Sequence, residues 1–242
     1  MIDYLFWIND YGLIDKILAK KNRKRREKEI GDKLYKRIEY QTSIYPIWVC
    51  FLPWGVKFNE AKNSGLIPKL GKVICYEGPV GIANPDPNMA KILLQQIIND
   101  LNSLNLSEFN VLALSIGNFL GYYVANHFSV KKLVSVVPGS KLGACIYDGI
   151  ASQEIRKRAV LLNINSSEEY DLKLAGTNPI ENLNNLPADI EIHIASHDLF
   201  IPTIHGEELV QAMIKNGKNP KIFRYKKGHV LTLAEFGKRN HY

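Results

Sequence analysis

The chain has 242 residues, 46% of them hydrophobic and 23% charged, proportions that suit one well-cored globular α/β domain and leave little room for a second. No apolar run approaches the ~18 residues that a membrane-spanning helix requires. The net charge of +7 is uneven: residues 15–30 hold eight Lys/Arg against three acids, so the remainder is nearly balanced and a general nucleic-acid-binding surface is not indicated.

Residues 1–30 read as a helix with an imperfect apolar stripe, Leu5, Ile8, Ile14, Ile17 and Leu18, weakened at Gly12. The stripe runs into Lys20, Lys21, Arg23, Lys24, Arg25, Arg26 and Lys28. Such a segment either touches an anionic membrane or an acidic partner peripherally, or is a solvated extension. Its charges follow the apolar part, the reverse of a secretory signal. Three cysteines, Cys50, Cys75 and Cys145, are an odd number, and the first two sit in apolar runs; buried thiols in a reducing compartment, hence a cytoplasmic protein, are expected. Residues 33–43 alternate weakly and predict an edge strand. The organisation expected is therefore a basic extension over 1–43 and one domain over 44–242.

Within that domain, short β-favouring runs alternate with helical spacings. Strands are expected at Ile47–Leu52, closed by Pro53-Trp54-Gly55, and at residues 72–77, closed by Gly78-Pro79. A helix is expected over Met89–Leu101, with Ile92, Leu93, Ile97 and Leu101 at helical spacing. Next come the apolar run Val111–Leu114, a Ser115-Ile116-Gly117-Asn118 joint and a helix from Phe119 to Phe128. Further strands are expected at 132–137, 190–195 and 221–225, with helices at Glu207–Ile214 and Val230–Lys238. This alternation predicts a mostly parallel sheet covered by helices on both faces. Residues 140–187, with a basic helical piece at Gln153–Val160 and an Asn-rich loop at Asn178–Asn185, break the pattern. An insertion there would sit over the carboxyl ends of the strands, where such sheets bind ligands, and is expected to form a small cap.

The joint Ala113-Leu114-Ser115-Ile116-Gly117 has the form of a nucleophile elbow, a strand-to-helix turn so tight that small residues must flank an exposed serine. A serine at such a turn is more often a helix cap. A serine nucleophile needs a base, and the base an orienting acid. Past the strand at 190–195 lies Asp198, and past the strand at 221–225 lies Gly228-His229; both belong to the same sheet edge as Ser115. In order and placement these segments resemble the α/β-hydrolase superfamily, whose serine elbow, D-x-x-V-P acid loop and final G-H match Ser115, Asp198-Leu199-Phe200-Ile201-Pro202 and Gly228-His229. The resemblance covers about residues 44–242 and implies a Ser115–His229–Asp198 triad with an oxyanion hole from the Ile116 and Trp54 amides. Alanine replaces the first elbow glycine, and Leu52-Pro53-Trp54-Gly55 stands where many relatives have H-G-x-G.

Other groups are weaker candidates. His193 falls inside a strand and reads as a core or edge histidine, His197 and His205 flank the acid loop and could line a pocket, and Asp148 is the alternative acid. Cys145 lacks an elbow. No spacing suggests a metal and no Gly-rich motif a nucleotide, so no cofactor is expected. The expected function is a serine esterase or thioesterase, with an apolar acyl pocket lined by Leu142, Ile146, Tyr147 and Ile150. The alternative is a catalytically degenerate binding protein on the same fold.

Overall fold

The computed structural model describes residues 35–78 and 81–239; the helix expected over residues 1–30 lies outside them. The described residues form a seven-stranded sheet. Its strands are β1 (Lys36–Gln41), β2 (Ile47–Phe51), β3 (Lys72–Glu77), β4 (Phe109–Leu114), β5 (Val130–Val136), β6 (Asp189–Ala195) and β7 (Lys221–Tyr225). The spatial order is β1-β3-β2-β4-β5-β6-β7. Only β1 is antiparallel, pairing with β3 at one edge; every other pairing is parallel.

The inner strands β2–β6 are mainly apolar because both faces of a parallel sheet are covered, whereas the edge strands β1 and β7 are mostly exposed. Side chains alternate between two cores, as the two-residue period of a strand demands. Val49, Phe51, Val111, Ala113, Leu133, Ile192 and Ile194 face one core. Trp48, Cys50, Leu52, Leu112, Leu114, Val134 and Val136 face the other. Helices α2 (Pro87–Ser103), α3 (Gly117–His127) and α7 (Thr203–Lys215) cover the first face; α1 (Phe58–Asn63) and α8 (His229–Arg239) cover the second. Helix α2 starts two residues before its expected boundary, since the Asp86 carboxylate caps the Asn88 N–H at 2.9 Å and Pro87 opens the first turn.

Between β5 and β6 the described chain is helical: α4 (Leu142–Asp148), α5 (Gln153–Val160) and α6 (Ser167–Lys173), with short 3₁₀ turns at Ile150–Ser152 and Pro179–Glu181. Asp171 on α6 accepts the Gly143 and Ala144 N–H groups of α4 at 2.7 and 3.1 Å, supplying partners to otherwise open helix-end donors. Burial raises the Asp171 pKa, an effect that those two amides offset only in part. No helix among the described residues is long and apolar enough to cross a membrane.

Candidate active site

The parallel strands β2, β4, β6 and β7 end at the same edge of the sheet, and the segments that leave them converge there. After β4, Ser115 turns the chain into α3 with φ +54°, in the left-handed region that costs a non-glycine residue of order 1 kcal/mol or more. The strained residue is held: its N–H donates to Val136 O at 2.9 Å, and its carbonyl accepts from the Asn118 N–H at 2.9 Å. Gly117 is a glycine because α3 leaves the elbow against β2. A β-carbon there would lie 2.4 Å from the Phe51 carbonyl oxygen, far inside contact distance.

After β6, the Asp198 side chain folds back on its own loop. Oδ1 accepts the Phe200 and Ile201 N–H groups, both at 2.9 Å, the local turn that a short carboxylate favours. That leaves Oδ2 directed at His229 Nδ1, 2.7 Å away. After β7, His229 opens α8, and its Nε2 lies 2.7 Å from Ser115 Oγ. All three side chains are buried. A carboxylate only accepts, so His229 carries its proton on Nδ1, and Nε2 is left to accept from the Ser115 hydroxyl. The Phe200 ring lies 5.1 Å from the His229 ring and shields it from water.

Ser115 opens into a cavity of about 320 Å³, at the small end of the range for small-molecule sites. Trp54 and Ile116, the expected oxyanion donors, both line it, as does His229. Ile116 precedes the first turn of α3, and among the described residues none of the hydrogen bonds uses its N–H. The walls are otherwise mainly apolar. Leu142 and Ile146 line the cavity as expected, whereas Tyr147 and Ile150 do not. The phase of α4 explains Tyr147: Leu142, Cys145 and Ile146 share the helix's inner face, and Tyr147 turns away to donate to Ile164 O at 2.8 Å; Ile150 lies past α4, in the 3₁₀ turn Ile150–Ser152. Phe119, Ile155 and Leu233, not singled out from sequence, complete the wall. Phe119 was discoverable, being one helical turn past Ile116.

The remaining candidates fall elsewhere. Asp148 pairs with His205 Nε2 at 2.8 Å, not with His229, and neither His197 nor His205 lines the cavity. His193 is buried between β6 and α8, stacked on Phe223 at 4.7 Å with Nδ1 2.8 Å from the Tyr225 hydroxyl. Burial lowers its pKa to about 4, so it is neutral. Cys145 lines the cavity but is buried, which raises its thiol pKa and keeps it protonated. No group of His, Cys, Asp and Glu among the described residues could hold a metal ion. Helices α4 and α5 and the turn between them form one wall of the cavity and are tied to the acid loop: Ile150 N–H donates to Leu199 O at 2.9 Å. There is no room between them, since a β-carbon on Gly149 would lie 2.2 Å from Phe200 O.

No family model matches the chain, and no curated protein matches it in sequence. Solved structures do. An esterase from Exiguobacterium antarcticum superposes with TM-score 0.52 at 16% identity over 85% of this chain and 93% of its own. The enol-lactonase of Burkholderia xenovorans gives TM-score 0.54 at 12% identity, covering 85% and 94%. The chain has the α/β-hydrolase fold. The acylaminoacyl peptidase of Pyrococcus horikoshii is similar at TM-score 0.60 and 11% identity, over 86% of this chain but 40% of the peptidase. The α/β-hydrolase architecture thus spans nearly all the described residues, while the chain corresponds to about two fifths of the peptidase.

Proposed function

We propose that the protein is a serine hydrolase acting on an acyl ester or thioester. One observation carries this reading: the continuous hydrogen-bonded line Asp198–His229–Ser115, with 2.7 Å at both junctions, opens into an apolar cavity. In the reaction, His229 Nε2 takes the hydroxyl proton as Ser115 Oγ adds to the acyl carbon. The carbonyl oxygen becomes an oxyanion held by the Ile116 and Trp54 N–H groups, and Asp198 stabilises the imidazolium. Collapse expels the alcohol or thiol, which takes its proton from His229. Water then gives a proton to His229 and adds to the acyl-enzyme, and a second collapse returns that proton to Ser115 and frees the acid. The apolar wall suits an acyl chain, and the modest volume suits a short one.

The test is hydrolysis of p-nitrophenyl esters of graded chain length, together with labelling by a fluorophosphonate, in wild type and Ser115→Ala. Turnover and labelling confined to wild type support the reading. Equal turnover in both sinks it, and an unreactive wild type favours the binding-protein alternative. The free, buried cysteines Cys50, Cys75 and Cys145 support a reducing, cytoplasmic setting. The proposed peripheral contact of residues 15–30 with anionic lipid is checked by vesicle pelleting with and without residues 1–30; unchanged pelleting removes it.

A further inference from the structure

Beneath the elbow lies a chain of polar side chains that the reaction above does not use. Asn118, Ser135 and Tyr122 are each fully buried, where an unmet polar group is costly. Tyr122 OH donates to Ser135 Oγ at 3.1 Å. Ser135 Oγ donates to Asn118 Oδ1 at 2.7 Å. Asn118 Nδ2 then donates twice, to Ser115 O and to Val136 O, each at 2.8 Å. The amide stands this way round because a flipped Asn118 would set its oxygen against two carbonyl oxygens, which cannot donate.

The Ser115 carbonyl therefore accepts from both the backbone N–H and the side chain of Asn118. That carbonyl belongs to the same peptide unit as the Ile116 N–H. A trans peptide is planar, with C=O and N–H pointing in opposite directions, so fixing the oxygen on one side fixes the hydrogen on the other. We infer that Asn118 is a positioning residue that, through the 115–116 peptide plane, aims the Ile116 N–H at the oxyanion. Two donors on the carbonyl also withdraw density from the peptide and strengthen its N–H as a donor. Ser135 and Tyr122 hold the Asn118 amide in the orientation that this task needs. The inference rests on the hydrolase reading and deepens it, because it assigns a cause to the oxyanion hole's geometry.

The test compares full-length wild type, Asn118→Ala and Ser135→Ala on a p-nitrophenyl ester. The readouts are kcat, KM, inhibition by a trifluoromethyl ketone, inhibition by the carboxylic acid product, and Tm. The ketone adds Ser115 Oγ to give a hemiketal oxyanion, whereas the acid binds without one. Losing an oxyanion donor outright costs about 10²–10³ in kcat; tilting one should cost about 10–100-fold. Asn118→Ala is expected to lose that factor in kcat and in affinity for the ketone, with KM and acid inhibition close to wild type. A purely structural Asn118 would lower Tm yet leave kcat and ketone affinity of the folded protein unchanged, which overturns the inference. Should Asn118→Ala fail to fold, Ser135→Ala decides: a smaller loss of kcat with the same split supports the inference, and wild-type kinetics overturn it. A wild type inert to both ester and fluorophosphonate overturns the hydrolase reading and the inference with it. An active wild type with unchanged variants overturns the inference alone.

Discussion

Ala113 and Gly121 face each other across the join of β4 and α3, so closely that a β-carbon on Gly121 would lie 2.4 Å from that of Ala113. The alanine standing in the elbow where the G-x-S-x-G pattern has its first glycine is thus accommodated by a missing side chain one turn into the facing helix. Gly121→Ala should overpack this contact and cost about 1–3 kcal/mol. Adding Ala113→Gly should recover part of the loss. Urea unfolding of the two single variants and the double variant measures the coupling; strictly additive changes would show that the two positions do not share the space.

Asp198→Asn should preserve the loop, since an amide oxygen can still accept from Phe200 and Ile201. Its NH2 would then face His229 Nδ1 and turn that nitrogen into an acceptor. The imidazole proton moves to Nε2, which can no longer take the Ser115 proton. On the hydrolase reading, kcat should fall roughly 10⁴-fold with Tm nearly unchanged. A loss below tenfold would mean that Asp198 does not set the tautomer.

The pH dependence of stability should carry a contribution from His193. Burial lowers its pKa from 6.5 to about 4, outweighing the nearby charge of Glu191, which favours the proton, with a smaller contribution in the same direction as burial from Lys132. Between those values the unfolded chain binds a proton that the folded one refuses. Stability is therefore complete above the unfolded pKa and falls as the medium is acidified toward the folded one, by about 3 kcal/mol over the whole interval. His193→Phe should flatten that segment of the curve; equal slopes in both proteins would count against the assignment.

Asp100 on α2 ties the edge of the sheet to its helical cover. Its two oxygens accept from Tyr76 OH at 2.7 Å and Arg37 at 2.6 Å. Burial, together with Asp100, raises the Tyr76 pKa, so the phenol stays a donor. Asp100→Ala leaves a buried hydroxyl unsatisfied and should cost about 1–3 kcal/mol. Adding Tyr76→Phe should then restore part of it, as denaturant midpoints would show.

The parallel strands were legible because each is a short β-favouring run bounded by Pro, Gly or charged residues, and Asp198 and His229 were legible because each sits just past such a run. Helices α1, α4 and α6 were not. They have six or seven residues each, too few for a repeating stripe to show. Without the phase of α4, Tyr147 looked equivalent to Leu142 and Ile146, and without the end of that helix at Asp148 so did Ile150. The Tyr122–Ser135–Asn118 chain was invisible for another reason. It depends on the register that sets Ala113 beside Ser135, and registers are decided by long-range pairing, not by local pattern.

The bond from Ile150 to Leu199 and the closure of Gly149 onto Phe200 make that wall of the cavity and the arm bearing the carboxylate one mechanical piece. A guest that presses the wall outward drags on the hinge that keeps His229 upright. On the hydrolase reading, size exclusion should therefore register as slowed turnover as well as weakened grip. Across a graded series of acyl chains, kcat should drop at the length where KM begins to climb.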